Sequence, residues 1–164
     1  MHKTIKDITE MKGKEKITVL TGYDSTMVTL CDQVDVILVG DSAGMVMLGY
    51  EDTTSVTMED MIRFTTAAKN ARKNSLIVSD LPINSYQNEK DGVVNSLKLV
   101  QAGADAVKLE GGKENAKIIR AAISTGPIFK AIIAKGAEIV IKTISLKTSP
   151  VTDENRAILV AFKG

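Results

Sequence analysis

Short runs of aliphatic residues alternate along the chain with longer segments in which apolar side chains recur at helical spacing. The runs are too short for helices and are rich in valine and isoleucine, which is typical of the strands of repeated β-α units. Five such runs occur, at residues 17–21, 34–39, 76–78, 106–109 and 139–141. Their nearly continuous apolar character predicts a parallel sheet whose strands are covered on both faces.

The segments around these runs carry the spacing and the end signals of amphipathic helices. Helices are predicted over residues 57–72, 91–102, 115–125 and 153–162. Thr57 and Asp60 form a capping-box pattern at the start of the first helix, with aspartate in place of the usual glutamate or glutamine. Gly103 supplies a left-handed end to the second helix. The methionines in and before the first helix are interpreted as core residues, namely Met45, Met47, Met58 and Met61.

The alternation of strands and helices predicts a β/α barrel. A weak internal repeat supports this, because residues 102–107 and 135–140 both have the pattern of a helix end, a glycine turn and a strand start. A closed barrel of eight units typically needs about 250 residues, so this chain supplies roughly five or six units. The predicted fold is therefore α/β, of the TIM-barrel type, with an incomplete or shortened barrel. Residues 1–164 are predicted to form a single β/α domain.

Composition and charge narrow the classes of function. Hydrophobic residues make up 44% of the chain, which is enough for a substantial core. The 21 basic and 20 acidic side chains give a formal net charge of +1, so no strong field of one sign is available to hold nucleic acid or an anionic membrane. A single cysteine, Cys31, cannot form a disulfide framework or a cysteine metal cluster within the chain.

The apolar segments are also shorter than a membrane span. None approaches the roughly 20 apolar residues that a bilayer requires, and the first residues contain no apolar signal region. We therefore expect a reduced, cytoplasmic protein that binds a small molecule.

Three acidic residues stand at the ends of three successive predicted strands. Asp41 follows the second strand, Asp80 the third and Glu110 the fourth. The carboxyl ends of parallel strands lie at one edge of the sheet, where β/α proteins bind their ligands. Neighbouring carboxylates repel one another unless a cation or protons neutralise them, and oxygen ligands without histidine or cysteine suit magnesium. The alternative is that each acid caps a helix N-terminus or a turn.

A magnesium ion at this edge would keep part of its coordination shell for water or substrate oxygens. A 2-oxo acid that occupied these positions through its keto and carboxylate oxygens would become more acidic at the carbon beside the ketone. Lys108 lies two residues before Glu110, so the two side chains are predicted on one face of the strand. Its ammonium group is expected within reach of the substrate carboxylate or the developing enolate.

The strand-end motifs, taken in order, are similar to those of a known family. They are Val19-Leu20-Thr21-Gly22-Tyr23-Asp24, Val39-Gly40-Asp41-Ser42-Ala43-Gly44-Met45, Val56-Thr57-Met58-Glu59-Asp60-Met61, Ser79-Asp80-Leu81-Pro82 and Val107-Lys108-Leu109-Glu110-Gly111-Gly112. In this order and spacing they resemble consecutive signatures of the ketopantoate hydroxymethyltransferase family. The resemblance covers about residues 4–126.

The resemblance implies a magnesium enzyme of pantothenate biosynthesis with a barrel of the phosphoenolpyruvate/pyruvate superfamily. The implied reaction moves a hydroxymethyl group from 5,10-methylenetetrahydrofolate to 3-methyl-2-oxobutanoate through an enolate and gives 2-dehydropantoate. Asp41 and Asp80 would be metal ligands, and Glu110 would complete the metal site directly or through water. Asp41, Ser42, Asp80 and Lys108 would bind the oxo acid. The resemblance also implies a homo-oligomer.

The resemblance ends after Gly126, and residues 127–164 form a divergent C-terminal part. The family continues with a Gly-His-Ile-Gly type motif and a glutamate that acts as general base. Residues 131–143 resemble the helix and strand before that glutamate, but Lys142 or Thr143 stands where the acid is expected, so the catalytic base is unidentified. Two alternative functions stay open: a truncated paralogue that binds metal and oxo acid, or only assembles with other subunits, without turnover, and another oxo-acid lyase of the same superfamily.

Overall fold

A computed structural model of the chain describes residues 2–111, 113–124, 129–135, 138–141 and 157–163. The helices are α1 Ile5–Met11, α2 Ser25–Cys31, α3 Ala43–Met47, α4 Met58–Ala71, α5 Glu89–Ala102 and α6 Ala116–Ser124. The strands are β1 Val19–Thr21, β2 Val36–Val39, β3 Leu76–Asp80, β4 Ala106–Glu110, β5 Phe129–Lys135, β6 Glu138–Ile141 and β7 Ala157–Lys163. A single turn of 3-10 helix, Lys113–Asn115, precedes α6.

The strands form one sheet in the order β1-β2-β3-β4-β7-β5-β6. Strands β1 to β4 are parallel, and each pairs with the strand that precedes it in the chain. Strand β7 pairs parallel with both β4 and β5. The first four strands are connected through helices, so this part of the fold is the predicted series of β-α units, in a partial barrel. All five predicted strands are present, and β3 and β4 extend further to include Asp80 and Glu110.

Local signals set the helix ends as expected. The Thr57 hydroxyl accepts a hydrogen bond from the amide of Asp60, whose carboxylate accepts from the amide of Thr57, so the predicted capping box is confirmed. Helix α5 begins slightly earlier than predicted because Asn88 caps it, and it ends at Gly103 with φ +115°. The third predicted helix is confirmed as α6, and Thr125 lies outside the described residues.

The two faces of the sheet pack against different elements. Ile37, Ile77 and Val107 alternate onto the face that packs against α4, α5 and α6 in the larger core cluster. The intervening residues, among them Leu76, Val78 and Ala106, form a second cluster with Ile5 and Ile8 of α1. Helix α1 therefore covers the second face near the amino ends of the strands. The carboxyl ends on that same face carry Asp80 and Lys108.

Two aspartates, one buried and one half-buried, hold the backbone at the amino ends of the strands. The carboxylate of Asp32, just after α2, accepts hydrogen bonds from the backbone amides of Lys73, Asn74 and Ser75 at 2.6, 2.9 and 2.9 Å. Asp105, before β4, accepts from the amide of Ile77 and pairs with Arg72. Each carboxylate thus connects its own strand to the loop before its neighbour. Among these donors the amide of Ser75 is buried, and Asp32 gives it a hydrogen-bond acceptor.

Three predictions for the C-terminal part are wrong. Residues 157–162 were expected in a helix and lie in strand β7, while residues 153–156 lie outside the described residues. The segment from residue 131 was expected to begin with a helix and lies in strand β5 to Lys135. Strand β6 is antiparallel to β5 rather than parallel. Short aliphatic runs fit either state, and pairing to the free edge of β4 favours the strand here.

Exposure also differs from the prediction in two places. Strand β1 is exposed along its length, with Leu20 47% exposed, because it is the end strand of the sheet in the described part of the chain. Met61 is buried as expected, but Met45 and Met47 on α3 are exposed, because α3 projects from the carboxyl edge of β2. Within the described residues, no helix is long and apolar enough to cross a membrane.

Candidate active site

The carboxyl ends of β2, β3 and β4 bring together the acids that the sequence singles out. Asp80 ends β3, and Lys108 lies opposite it in the register of β3 and β4. Glu110 is two residues further along β4 on the same face and is exposed. Asp41 follows β2 and is half-buried. The site is therefore built from three neighbouring strands.

Asp80 is the buried centre of this site, with 1% of the residue exposed. Its Oδ2 accepts hydrogen bonds from Lys108 Nζ at 2.6 Å and from the backbone amide of Asp41 at 3.2 Å. Its Oδ1 is buried and has no hydrogen-bond partner among the described residues. Burial raises the pKa of Asp80 to about 7, although the nearby Lys108 ammonium acts in the opposite direction. A buried carboxylate oxygen without a partner is costly and points to a ligand of this atom.

The other acids act on one another through their charges. Burial is the main cause that raises the pKa of Asp41; the charge of Glu110 adds to it, and Lys108 opposes it. The pKa of the Tyr86 hydroxyl is raised by burial and then by the charges of Glu110, Asp41 and Asp80. Tyr86 thus lies beside the same cluster of charge, and the sequence analysis assigned it no role.

The alternative that these acids are helix caps is not supported for the helices whose caps are described. The N-cap residues of α1 to α5 are Thr4, Asp24, Ser42, Thr57 and Asn88. Asp41, Asp80 and Glu110 are not among them. The three acids share a place at, or just after, the carboxyl end of a strand.

The donor atoms of this site fit magnesium. The carboxylate oxygens of Asp41 and Asp80 are hard ligands, and the unpartnered Oδ1 of Asp80 is available to a cation. In the described part of the chain, no three histidine, cysteine, aspartate or glutamate side chains lie close enough together to surround a metal ion. Magnesium commonly takes only one or two carboxylates and completes its shell with water and substrate oxygens. The assignment of Glu110 as a third ligand stays a prediction.

Ser42 lies at the same edge, between β2 and α3. Its hydroxyl is close to Gly40, where a Cβ atom would lie 2.9 Å from Ser42 Oγ and 3.5 Å from Asp80 Oδ2. A side chain at position 40 would therefore enter the space between serine and carboxylate. The Ser42 Oγ is also 2.8 Å from the hydroxyl of Tyr23, a residue that follows β1. Tyr23 belongs to the first strand-end motif, but the sequence analysis did not predict it as a site residue. Its position just after a strand is the feature that could have indicated this.

The general base expected from the resemblance is not among these residues. Lys142 and Thr143, which stand where the family has its glutamate, lie outside the described residues. The described residues thus bring carboxylates, a lysine and two hydroxyl groups to one edge of the sheet, without an identified general base.

Fold and site together define a β/α protein of the partial-barrel type with an acidic ligand site at the carboxyl edge of its strands. Comparison with known sequences gives the particular family. Residues 2–131 match the ketopantoate hydroxymethyltransferase family, and the chain belongs to it. The end of this match, at residue 131, is close to residue 126, where the motifs cease.

Relatives in archaea share much of this sequence. The chain is 57% identical over 130 residues to a 3-methyl-2-oxobutanoate hydroxymethyltransferase of Nitrosopumilus maritimus, which covers 77% of this chain and 47% of that protein. It is 47% identical over 126 residues to the protein of that name in Pyrococcus furiosus, covering 75% of this chain and 44% of the relative. The chain therefore spans about half the length of the curated relatives it matches.

Solved structures support the fold. A phosphonopyruvate hydrolase in complex with oxalate and Mg2+ aligns with a TM-score of 0.60 at 14% identity, over 74% of this chain and 47% of that one. An oxaloacetate acetylhydrolase aligns with a TM-score of 0.58 at 16% identity, over 73% of this chain and 47% of that chain. At these identities the similarity shows the fold alone. A further structure with this fold, a 2,3-dimethylmalate lyase, is described as a member of the PEP mutase/isocitrate lyase superfamily.

Proposed function

We propose that the chain carries the metal and oxo-acid part of a hydroxymethyltransferase site for pantothenate biosynthesis. The proposed reaction transfers a hydroxymethyl group from 5,10-methylenetetrahydrofolate to 3-methyl-2-oxobutanoate and gives 2-dehydropantoate. The observation that carries the proposal is the buried Asp80, which bonds to Lys108 through one oxygen and leaves the other without a partner among the described residues. Membership of the family selects this reaction among those that such a site supports.

Each residue of the site has a proposed task. Asp41 and Asp80 hold Mg2+, with Glu110 as the third ligand directly or through water. The ion, when bound, supplies a Lewis acid that makes the proton at C3 of the oxo acid more acidic. Lys108 and Ser42 hold the anionic end of the substrate by charge and by a hydroxyl donor. Loss of the C3 proton to a base gives the enolate, whose carbon forms a bond to the one-carbon unit. Both C–N bonds of that unit break, water supplies the hydroxyl oxygen, and tetrahydrofolate leaves with the protons.

A second candidate is a paralogue that binds metal and oxo acid, or assembles with other subunits, without turnover. The observation that favours it is the sequence after residue 131, which the family match does not reach and in which the family's general-base glutamate is not recognised. The third possibility, an oxo-acid lyase, has weaker support because the chain shares only its fold with the lyase structure it resembles. We also propose a cytoplasmic location and a homo-oligomer, in which another subunit covers exposed apolar residues such as Leu20 and Met45.

Proton exchange at C3 of 3-methyl-2-oxobutanoate separates the first two candidates. Enolisation needs the base and the metal but not folate, so exchange in deuterated water is expected with Mg2+ and not with EDTA. The measurement is loss of the C3 proton signal in NMR spectra recorded over time. If thermal unfolding shows a folded protein and the oxo acid binds without exchange, the paralogue without turnover is supported instead.

Replacement of Lys108 tests how the substrate is held. Lys108→Ala is expected to weaken oxo-acid binding about 10- to 100-fold, because a hydrogen bond to a charged group is lost. The affinity for Mg2+ alone should not fall, since Lys108 competes with a cation for Asp80 Oδ2. Isothermal titration with each ligand in turn provides the measurement, and Lys98→Ala, an exposed position on α5, is the control. Equal losses for metal and oxo acid would contradict the substrate role.

A further inference from the structure

Two hydroxyl groups meet at the wall of the site. Tyr23 Oη and Ser42 Oγ are 2.8 Å apart, a distance at which one hydroxyl donates to the other. Tyr23 follows β1 and Ser42 follows β2, so the bond joins the ends of two neighbouring parallel strands. The tyrosine is buried, with 3% exposed, and its ring packs edge-on against Phe64 of α4 with centroids 6.5 Å apart. The position of the phenol is therefore fixed by packing.

The Ser42 hydroxyl is not used in the way that its position in the chain suggests. Ser42 is the N-cap residue of α3, and serine at this position ordinarily accepts a hydrogen bond from an amide in the first helical turn. Its backbone is instead in the helical region, at φ −53° and ψ −14°, and within the described residues its side chain makes no capping bond. The hydroxyl lies over Gly40, where a Cβ atom would also lie 3.5 Å from Asp80 Oδ2, and it contacts Tyr23.

Either hydroxyl could donate in this bond, and the burial of the tyrosine favours Tyr23 as the donor. A buried phenol needs a hydrogen-bond acceptor for its proton. Within the described residues, the hydroxyl of Tyr23 is hydrogen-bonded to Ser42 Oγ, which serves as this acceptor. When Tyr23 donates, the proton of Ser42 is left to bond to another acceptor. Ser42 is only half-buried, so its proton can reach a ligand at the metal edge. A hydroxyl that already accepts one hydrogen bond is also a stronger donor in the next.

We propose that Tyr23 is a positioning residue for substrate: it donates to Ser42 Oγ and so directs the Ser42 proton at the carboxylate of the bound oxo acid. This inference rests on the proposed function, because it requires an anionic substrate beside Asp80. Tyr23 itself does not contact the substrate in this arrangement. Its contribution is the direction of one hydrogen bond, and it acts through Ser42 alone.

A double-mutant cycle tests the proposal by isothermal titration of 3-methyl-2-oxobutanoate at saturating Mg2+. Tyr23→Phe keeps the ring and removes only the hydroxyl, and it is expected to weaken binding about 5- to 20-fold. Ser42→Ala should weaken binding by at least as much. The double variant should bind like Ser42→Ala, because the tyrosine acts only through the serine. Tyr50→Phe, at a tyrosine that is 37% exposed, is the matched control and should bind like the unmodified chain.

A second readout reports the hydroxyl pair without any ligand. The NMR shift of the ring carbon that bears the hydroxyl, assigned to Tyr23 by Tyr23→Phe, should change in Ser42→Ala, and an unchanged shift would contradict the pair. If the unmodified chain binds oxo acid and Tyr23→Phe binds equally well, or if the two losses add, the positioning role is wrong while the proposed function stands. If the unmodified chain does not bind the oxo acid, the proposed function and the positioning role of Tyr23 both fail. The NMR spectrum then still shows whether the hydroxyls of Tyr23 and Ser42 are hydrogen-bonded.

Discussion

Asp80→Ala is expected to abolish magnesium-dependent binding of 3-methyl-2-oxobutanoate. The variant loses both the oxygen that holds Lys108 and the buried oxygen without a described partner. Loss of groups that only orient metal ligands already costs about 10- to 100-fold in affinity, so removal of a ligand should cost more than about 100-fold. Isothermal titration of the oxo acid with and without Mg2+ measures the loss. Asp41→Ala is expected to give the same result.

Controls are needed to distinguish loss of a metal ligand from unfolding of the Asp80→Ala variant. Removal of Asp80 relieves the desolvation cost of a buried carboxylate but also takes the carboxylate partner from Lys108, so the variant is expected to be less stable and still folded. Thermal unfolding of Asp80→Ala checks this expectation. Asp52→Ala removes an exposed carboxylate from the loop after α3 and should bind normally. Unchanged oxo-acid binding by a folded Asp80→Ala chain would remove Asp80 from the metal site.

Asp32→Ala is expected to lower the free energy of unfolding by about 3 kcal/mol, the largest effect on stability among the variants considered. Three backbone amides, those of Lys73, Asn74 and Ser75, lose a charged acceptor. Each hydrogen bond to a charged group contributes about 1.5 kcal/mol or more, and partial access of water reduces the sum. Urea unfolding followed by circular dichroism measures the difference. Glu51→Gln, at an exposed carboxylate, should change the free energy little.

The contribution of Asp32 should depend on pH in a defined direction. Burial by itself raises the pKa of Asp32, but hydrogen bonds from Ser75, Lys73 and Asn74 outweigh burial and lower it. A lowered pKa in the folded state means that the stabilisation is fully present above the unfolded pKa of about 3.9 and is lost as pH falls through the folded value. The difference between the unmodified chain and Asp32→Ala should therefore shrink below about pH 4. A difference that is constant from neutral pH to acid would contradict this origin.

The sequence predicts the fold well where local signals and tertiary packing agree. Residues 76–78 are aliphatic, β-branched and bounded by polar residues, and they form the buried strand β3. Thr57 and Asp60 mark the start of α4 because a capping box needs only four consecutive residues. Residues 157–162 show the limit. Their apolar character suits a helix or a strand, and the pairing with β4 and β5 that makes them a strand involves partners far away in the chain.

For the site too, some features could be predicted from the sequence and others depend on tertiary packing. Strand ends and strand alternation bring Asp41, Asp80 and Lys108 together as expected, because these rules depend only on the position of each residue in its strand. The contact of Tyr23 with Ser42 depends on how far one strand is shifted against the next and on a buried ring. No spacing in the sequence expresses that shift. Burial of Asp80 likewise depends on packing around the edge of the sheet.

The order of the sheet has a consequence for synthesis on the ribosome. Strands β2, β3 and β4 each pair with the strand made just before, so the partners for these pairings are present before the rest of the chain is made. Strand β7, which covers the other edge of β4, is made only after residues 111–156. During that interval the backbone groups along this edge of β4 lack the strand that later covers them. The nascent chain is then most open to wrong pairing with another chain at the strand that carries Lys108 and Glu110.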